Sequence, residues 1–411
     1  MSNVSRRKLL TLGAAGAGAA VAVAGTAVAG GFPSGSSAAE PEDSPGIITF
    51  TGRHQAGIST PVQDRMHIVA FDLVARDRTS LKLLLQKWTH AAAEMCAGQE
   101  VGTGAIPFIS DAPPDDTGEA AGLPPARLTL TVGFGPGIFG EELGLAGQRP
   151  AGLAELPHFA GDQLDPDRTG GDIVVQACAD DPQVAVHAVR NLIRIGFGTV
   201  AVKWAQLGFG KTSSTTPSAQ TPRNLFGFKD GTANIAAGDG AELARHVWVD
   251  AAADRAPAWL DGGTYMVARR IAMRIETWDR TSLTEQQALI GRTKGEGAPL
   301  GQEHERDPIV VADLPASSHV ALAHPDRNGG HKLLRRGYSF VDGTSGIGRL
   351  DAGLFFIAFM RNPVTQYIPM QRRLAASDTL REYLVHTGSG LWVVPPGVGA
   401  SGYWGQTLIE T

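Results

Sequence analysis

Cysteine is nearly absent from this chain: 411 residues contain only Cys96 and Cys178. Two cysteines cannot make a disulfide framework or a cysteine-based zinc site; they form at most one bridge or stand as two lone thiols. Long apolar runs are missing after residue 45, where none reaches the ~18–20 residues that span a bilayer. That composition excludes a helical integral membrane protein for the body of the chain. Positive charge is in short supply too: 36 Lys and Arg face 41 Asp and Glu, a net charge of −5, which excludes a general nucleic-acid binder. The 52 glycines follow no G-X-Y period, so a collagen-like rod is excluded.

Common catalytic signatures are also missing. None of the 11 histidines stands in HExxH, and no Cys/His cluster has zinc spacing. There is no GxGxxG followed by a strand-spaced acid, no GxxxxGK[ST] and no GxSxG. What is present is a hydrophobic fraction of 43% with 19% charged residues, the balance of a soluble chain with a real core. The length suits two ordinary domains or one large one.

Residues 5–10 read Ser-Arg-Arg-Lys-Leu-Leu, and an uncharged run rich in Ala, Gly and Val follows to Gly30. A basic n-region, an apolar h-region and small residues before a cut make a secretory signal. The pair Arg6-Arg7 ahead of two leucines resembles the twin-arginine export signal. Small-x-small sites end at Ala29 and at Ala39; retention as an anchor is the other reading. Removing residues 1–39 takes away Arg6, Arg7 and Lys8 and no acid, which moves the net charge from −5 to −8. The exported body, periplasmic or at the cell surface, is then acidic.

Beyond a Pro/Ser/Glu-rich lead, the body reads as two copies of one plan. A strand-like run begins at Met66, then Asp77-Arg78-Thr79-Ser80-Leu81 opens a helix to about Met95. Residues 265–275 are strand-like again, and the same five letters recur as Asp279-Arg280-Thr281-Ser282-Leu283, with Ser282 and Glu285 at capping-box spacing. A second echo follows. Strand 172–177 leads to a helix opened by Asp181-Pro182, with Val184, Ala188, Val189, Leu192 and Ile193 on one face. Strand 353–360 likewise leads to Asn362-Pro363. Further strand candidates lie at 126–134 and 338–341. Each half reads strand–helix–strand–strand–helix–strand, the ferredoxin-like split unit. The fold class predicted is α+β, two ferredoxin-like halves forming a duplicated dimeric α/β-barrel-type architecture. A polar linker at 211–222 separates half 46–212 from half 223–411.

After that linker, Gly227-Phe228-Lys229-Asp230-Gly231 presents one carboxylate beside aromatic rings; a plain turn with a solvated Asp is the alternative. His319 lies between an apolar approach and a turn, and reads either as a ligand or as a hydrogen-bonded structural residue. Arg335-Arg336 leads into an aromatic strand, an odd place for arginine unless one points at an anion.

Together Gly227 to Gly231, Trp278-Asp-Arg-Thr, Ser318-His319-Val and Leu334-Arg335-Arg-Gly-Tyr-Ser resemble the dye-decolourising peroxidases, from about Gly46 to Thr411. The exported, twin-arginine branch that includes the deferrochelatases is the most similar. The resemblance implies one haem b per chain in a pocket carried by the C-terminal half. His319 matches the proximal iron ligand, with His324 a nearby competitor. Asp230 matches the distal acid–base residue and Arg335 the distal arginine. Gly227, Phe228, Gly231 and Phe356, in the apolar strand 354–359, are expected at the cofactor, and Asp378 or Glu382 behind His319. An unperturbed Asp has a pKa of ~3.9, so activity should favour acid.

The partners implied are hydrogen peroxide, small reducing substrates such as dyes and phenolics, and the twin-arginine export machinery. An iron-uptake role would add partners of that system, and a homo-oligomer is compatible. Trp204, Trp259, Trp392, Tyr403 and Trp404 are electron-relay candidates by residue type, with packing as the alternative. Haem-iron release and non-enzymatic haem binding are the rival functions.

Overall fold

The computed structural model describes residues 46–106, 110–213, 215–216, 220–346 and 348–411. The leader 1–39 lies outside them. Nine strands carry the fold: β1 (Arg65–Leu73), β2 (Thr129–Phe134), β3 (Ile173–Ala179), β4 (Val200–Lys211), β5 (Thr264–Met273), β6 (Leu334–Arg335), β7 (Tyr338–Ser345), β8 (Arg349–Met360) and β9 (Leu384–Val394). Every ladder is antiparallel. The order β5-β9-β2-β3-β1-β4-β7-β8 is closed on itself by a β5–β8 pairing, and β6 extends the far side of β8. The sheet is therefore a closed antiparallel barrel. Its first four strands adjoin as β2-β3-β1-β4, and four of the later ones as β7-β8-β5-β9. Two thin seams join these sets, Phe134 opposite Val393 and Phe209 opposite Ser339.

Side chains alternate across each strand. One set meets inside the barrel: Met66 and Ile68 of β1, Cys178 of β3, Met266 of β5, Phe355 of β8 and Trp392 of β9. The other set (Val69, Val175, Val267, Val393) packs outward against helices. Because both faces are buried, these strands read as nearly continuous apolar runs. Helices α1 (Arg78–Cys96) and α2 (Pro182–Gly196) cover the first set of strands, Trp88 of α1 donating to the Leu192 carbonyl at 2.8 Å. Cys96 and Cys178 are both free and buried.

The two DRTSL copies are used differently. Asp77 caps α1 by accepting from the Ser80 amide at 2.8 Å. In the second copy Asp279 ends the short α3 (Ile275–Trp278), and Ser282 caps α4 (Leu283–Ile290) by accepting from Glu285 N. The strand expected at 126–134 starts at Thr129, since Ala126 and Arg127 have φ of 49° and 53°, a left-handed turn no strand can hold. The helix expected from Asn362-Pro363 begins at Tyr367, after a turn in which Gln366 accepts from the Asn362 amide. Among the described residues, no helix is long and apolar enough to cross a membrane.

Candidate active site

A cavity of about 1150 Å³ lies against the outer face of β5, β8 and β9. Alternation selects its wall. Arg269, Ile271 and Met273 of β5, and Leu354 and Phe356 of β8, face it, while Phe355 and Ile357 turn into the barrel. Helix α5 (His319–Ala323), α6 (Tyr367–Ser377) and the loop from Asn224 to Asn234 close it.

His319 is the first residue of α5 and lines the cavity. Its Nδ1 lies 2.7 Å from Oδ2 of Asp378, which is 4% exposed. Asp378 is itself fixed, since its Oδ1 accepts the Leu380 amide at 2.8 Å where it caps the turn after α6. A buried carboxylate here makes Nδ1 the donor and leaves Nε2 as the ring nitrogen for a metal. Burial pulls the imidazole pKa down, but the charge and hydrogen bond of Asp378, helped by Asp230, outweigh it and the net shift is upward. Although embedded in the chain, 39% of the side chain is accessible, the part that opens on the cavity. Of the two acids expected behind His319, Asp378 is the partner; Glu382 is exposed. His324 also borders the cavity, but its Nδ1 accepts the Asp326 amide at 3.3 Å and caps the following turn.

Asp230 and Arg335 meet in the same cavity. Nη1 of Arg335 donates to Oδ1 of Asp230 at 2.6 Å. Among the described residues, Oδ2 of Asp230 accepts a long bond from Asn224 Nδ2, at 3.3 Å. Two asparagines that sequence reasoning passed over set this geometry. Asn224 turns the loop by accepting the Phe226 amide at 3.1 Å. Asn234 docks on β6 as a neighbouring strand would: its Oδ1 accepts the Arg335 amide and its Nδ2 donates to the Arg335 carbonyl, both at 2.8 Å. Asn in a Gly-containing loop reads as a turn former, so no sequence signal marked this role.

Phe228, Gly231 and Phe356 line the cavity. Gly227 does not. Its φ of 80° turns the loop, and a Cβ there would meet Lys294 at 2.9 Å. Trp278 supports the loop from below, stacked on Phe226 at 4.2 Å and donating Nε1 to the Phe226 carbonyl at 3.1 Å. The relay candidates Trp204, Trp259, Trp392, Tyr403 and Trp404 are all buried, which favours packing.

These residues fit a haem. The cavity slightly exceeds the ~300–1,000 Å³ common for ligand sites. Its walls are largely apolar, one imidazole has a ring nitrogen to give a metal, and a carboxylate–guanidinium pair shares the space.

Comparison with known proteins agrees. The Dyp-type peroxidase N-terminal domain matches residues 55–210 and the C-terminal domain matches residues 221–399. A deferrochelatase of Yersinia pestis is 39% identical over 376 residues, covering 88% of this chain and 84% of that protein. The chain belongs to the Dyp-type peroxidase family. It is a haem-dependent peroxidase, with the ferredoxin-like α+β fold of that family. A deferrochelatase of Escherichia coli strain K12 is 37% identical over 374 residues, covering 88% of this chain and 87% of its own. A DyP-type peroxidase from Streptomyces coelicolor superposes with a TM-score of 0.81 at 37% identity, over 89% of this chain and 97% of its own.

Proposed function

We propose that this peroxidase works with His319 as the residue that would hold the iron of haem b, Asp230 as the acid–base residue and Arg335 as its electrostatic partner. The single observation that carries this reading is the shared cavity, in which a carboxylate-backed imidazole and a carboxylate–guanidinium pair face the same space.

When bound, the haem supplies the iron at which the peroxide O–O bond breaks, and stores the two oxidising equivalents. The chain's own residues do the rest. Asp378 holds the His319 Nδ1 proton, which orients the ring and makes Nε2 more electron-donating. Oδ2 of Asp230, the less encumbered oxygen, takes a proton from one peroxide oxygen and returns it to the other as water departs. Arg335 keeps Oδ1 occupied, favours the ionised carboxylate and stabilises negative charge on the leaving oxygen. Small reductants, dyes or phenolics, then give up electrons one at a time.

In the same reading the chain is two ferredoxin-like halves, 46–212 and 223–411, forming a duplicated barrel. The matching strand runs β2-β3-β1-β4 and β7-β8-β5-β9 support this. The leader 1–39 directs twin-arginine export to the periplasm or cell surface, on the strength of Arg6-Arg7 and the apolar run behind them.

The deferrochelatase relatives at 37–39% identity favour one second reading, removal of iron from haem. Pigment extracted after turnover with peroxide and a phenol separates the two. Peroxidase action leaves intact protohaem and oxidised phenol; iron-free, fluorescent porphyrin in proportion to turnover would favour the second reading.

A further inference from the structure

The loop that carries Asp230 is held by a carboxylate some 75 positions downstream in the chain. Oε2 of Glu305 accepts from Lys229 Nζ at 2.6 Å. Its Oε1 accepts from Thr232 Oγ1 at 2.9 Å and from Thr221 Oγ1. These donors come from both sides of Asp230 and from the entry to its loop. Glu305 is anchored in turn, because buried Arg292 donates Nη1 to the Glu305 carbonyl at 2.9 Å and to the Gly297 carbonyl at 2.7 Å. We propose that Glu305 is a positioning residue for the peroxidase reaction, a clamp that fixes Asp230 against peroxide without touching the reacting atoms.

The geometry leaves little slack. The Asp230 amide donates to the Pro222 carbonyl at 2.9 Å, which closes a short loop, and Lys229 and Thr232 bracket Asp230 in sequence. Without the clamp, Oδ2 of Asp230 is free to move by the ångström or so that costs a proton transfer its alignment. The Lys229 and Glu305 side chains are only 14% and 15% exposed, so this ion pair is better shielded from water than a surface one. Glu305 also stays charged in acid: burial raises its pKa, but Lys229, Thr221 and Thr232 together bring it down to about 2.

The inference rests on Asp230 being the acid–base residue. Its test uses the full haem-loaded chain, with Glu305→Gln and Lys229→Met as independent cuts of the clamp and Glu305→Asp as the conservative variant. Glu305→Gln should keep its haem content and ferric spectrum. Its bimolecular rate with peroxide should fall about 10- to 100-fold, equally between about pH 4 and pH 8. Lys229→Met should fall less and add little to Glu305→Gln, since both cut one network. Glu305→Asp should recover part of the rate. Hydrogen exchange should quicken at 222–232 and remain unchanged in α6. A peroxide rate within about twofold of wild type, or a loss accompanied by haem release and faster exchange throughout, overturns the clamp. If Asp230→Asn itself leaves the rate unchanged, the acid–base assignment has failed first, and the two failures are told apart.

Discussion

Two imidazoles in this chain show how the environment sets chemistry. His319 has a buried carboxylate on Nδ1 and its pKa moves up. His67 of β1 has a buried Nδ1 with no hydrogen-bond partner among the described residues, and burial pushes its pKa down from 6.5 to about 4. The sign for stability follows from proton counting. Between about pH 6.5 and pH 4 the unfolded chain binds a proton at His67 that the folded chain refuses, so stability is full above pH 6.5 and falls as the pH drops towards 4. Wild type should melt at a lower temperature at pH 5 than at pH 7, and His67→Gln should narrow that gap; an unchanged gap would remove His67 from the acid limit. At this scale His319, Asp230 and Arg335 were legible because distinctive neighbours mark them. The choice between Asp378 and Glu382 was not, because it depends on where α6 ends, and Asn234 gives no sign in sequence that it pairs with Arg335.

Elements were legible where an apolar run met a capping residue. The strands at 66, 172, 265, 338 and 353 and the helix from Pro182 follow that rule to within a few residues. Strand β4 exposes apolar Val202 and Leu207 and buries polar Gln206, and β9 is interrupted by His386-Thr387-Gly388-Ser389-Gly390, so neither announced itself. The DRTSL repeat is a warning about identical letters. Asp77 caps a helix of 19 residues, whereas Asp279 sits exposed at the end of a helix of four. Asp77→Ala should therefore lower the urea midpoint, and Asp279→Ala should leave it in place. Equal falls would mean that the two strings play one structural role.

Barrel closure belongs to the whole molecule and was the least legible feature. Its seams rest on pairs such as Phe134 with Val393, which no local pattern encodes. Yet closure is what builds the site: it turns alternate residues of β5, β8 and β9 outward, where α5, α6 and the Asp230 loop fold over them. His319 comes from one of those helices, Arg335 from β6 and Asp230 from a loop about ninety residues earlier than His319, and only the closed fold makes them neighbours.

In the proposed function Asp230 moves the proton in peroxide cleavage beside a haem held by His319. Stopped-flow absorbance of haem-loaded wild type and Asp230→Asn against hydrogen peroxide tests it most directly. The resting ferric spectrum should be the same for both, and the rate should be lower by about 10²- to 10⁴-fold in the variant, the usual worth of a positioned acid–base group. Equal rates at matched haem content would contradict it.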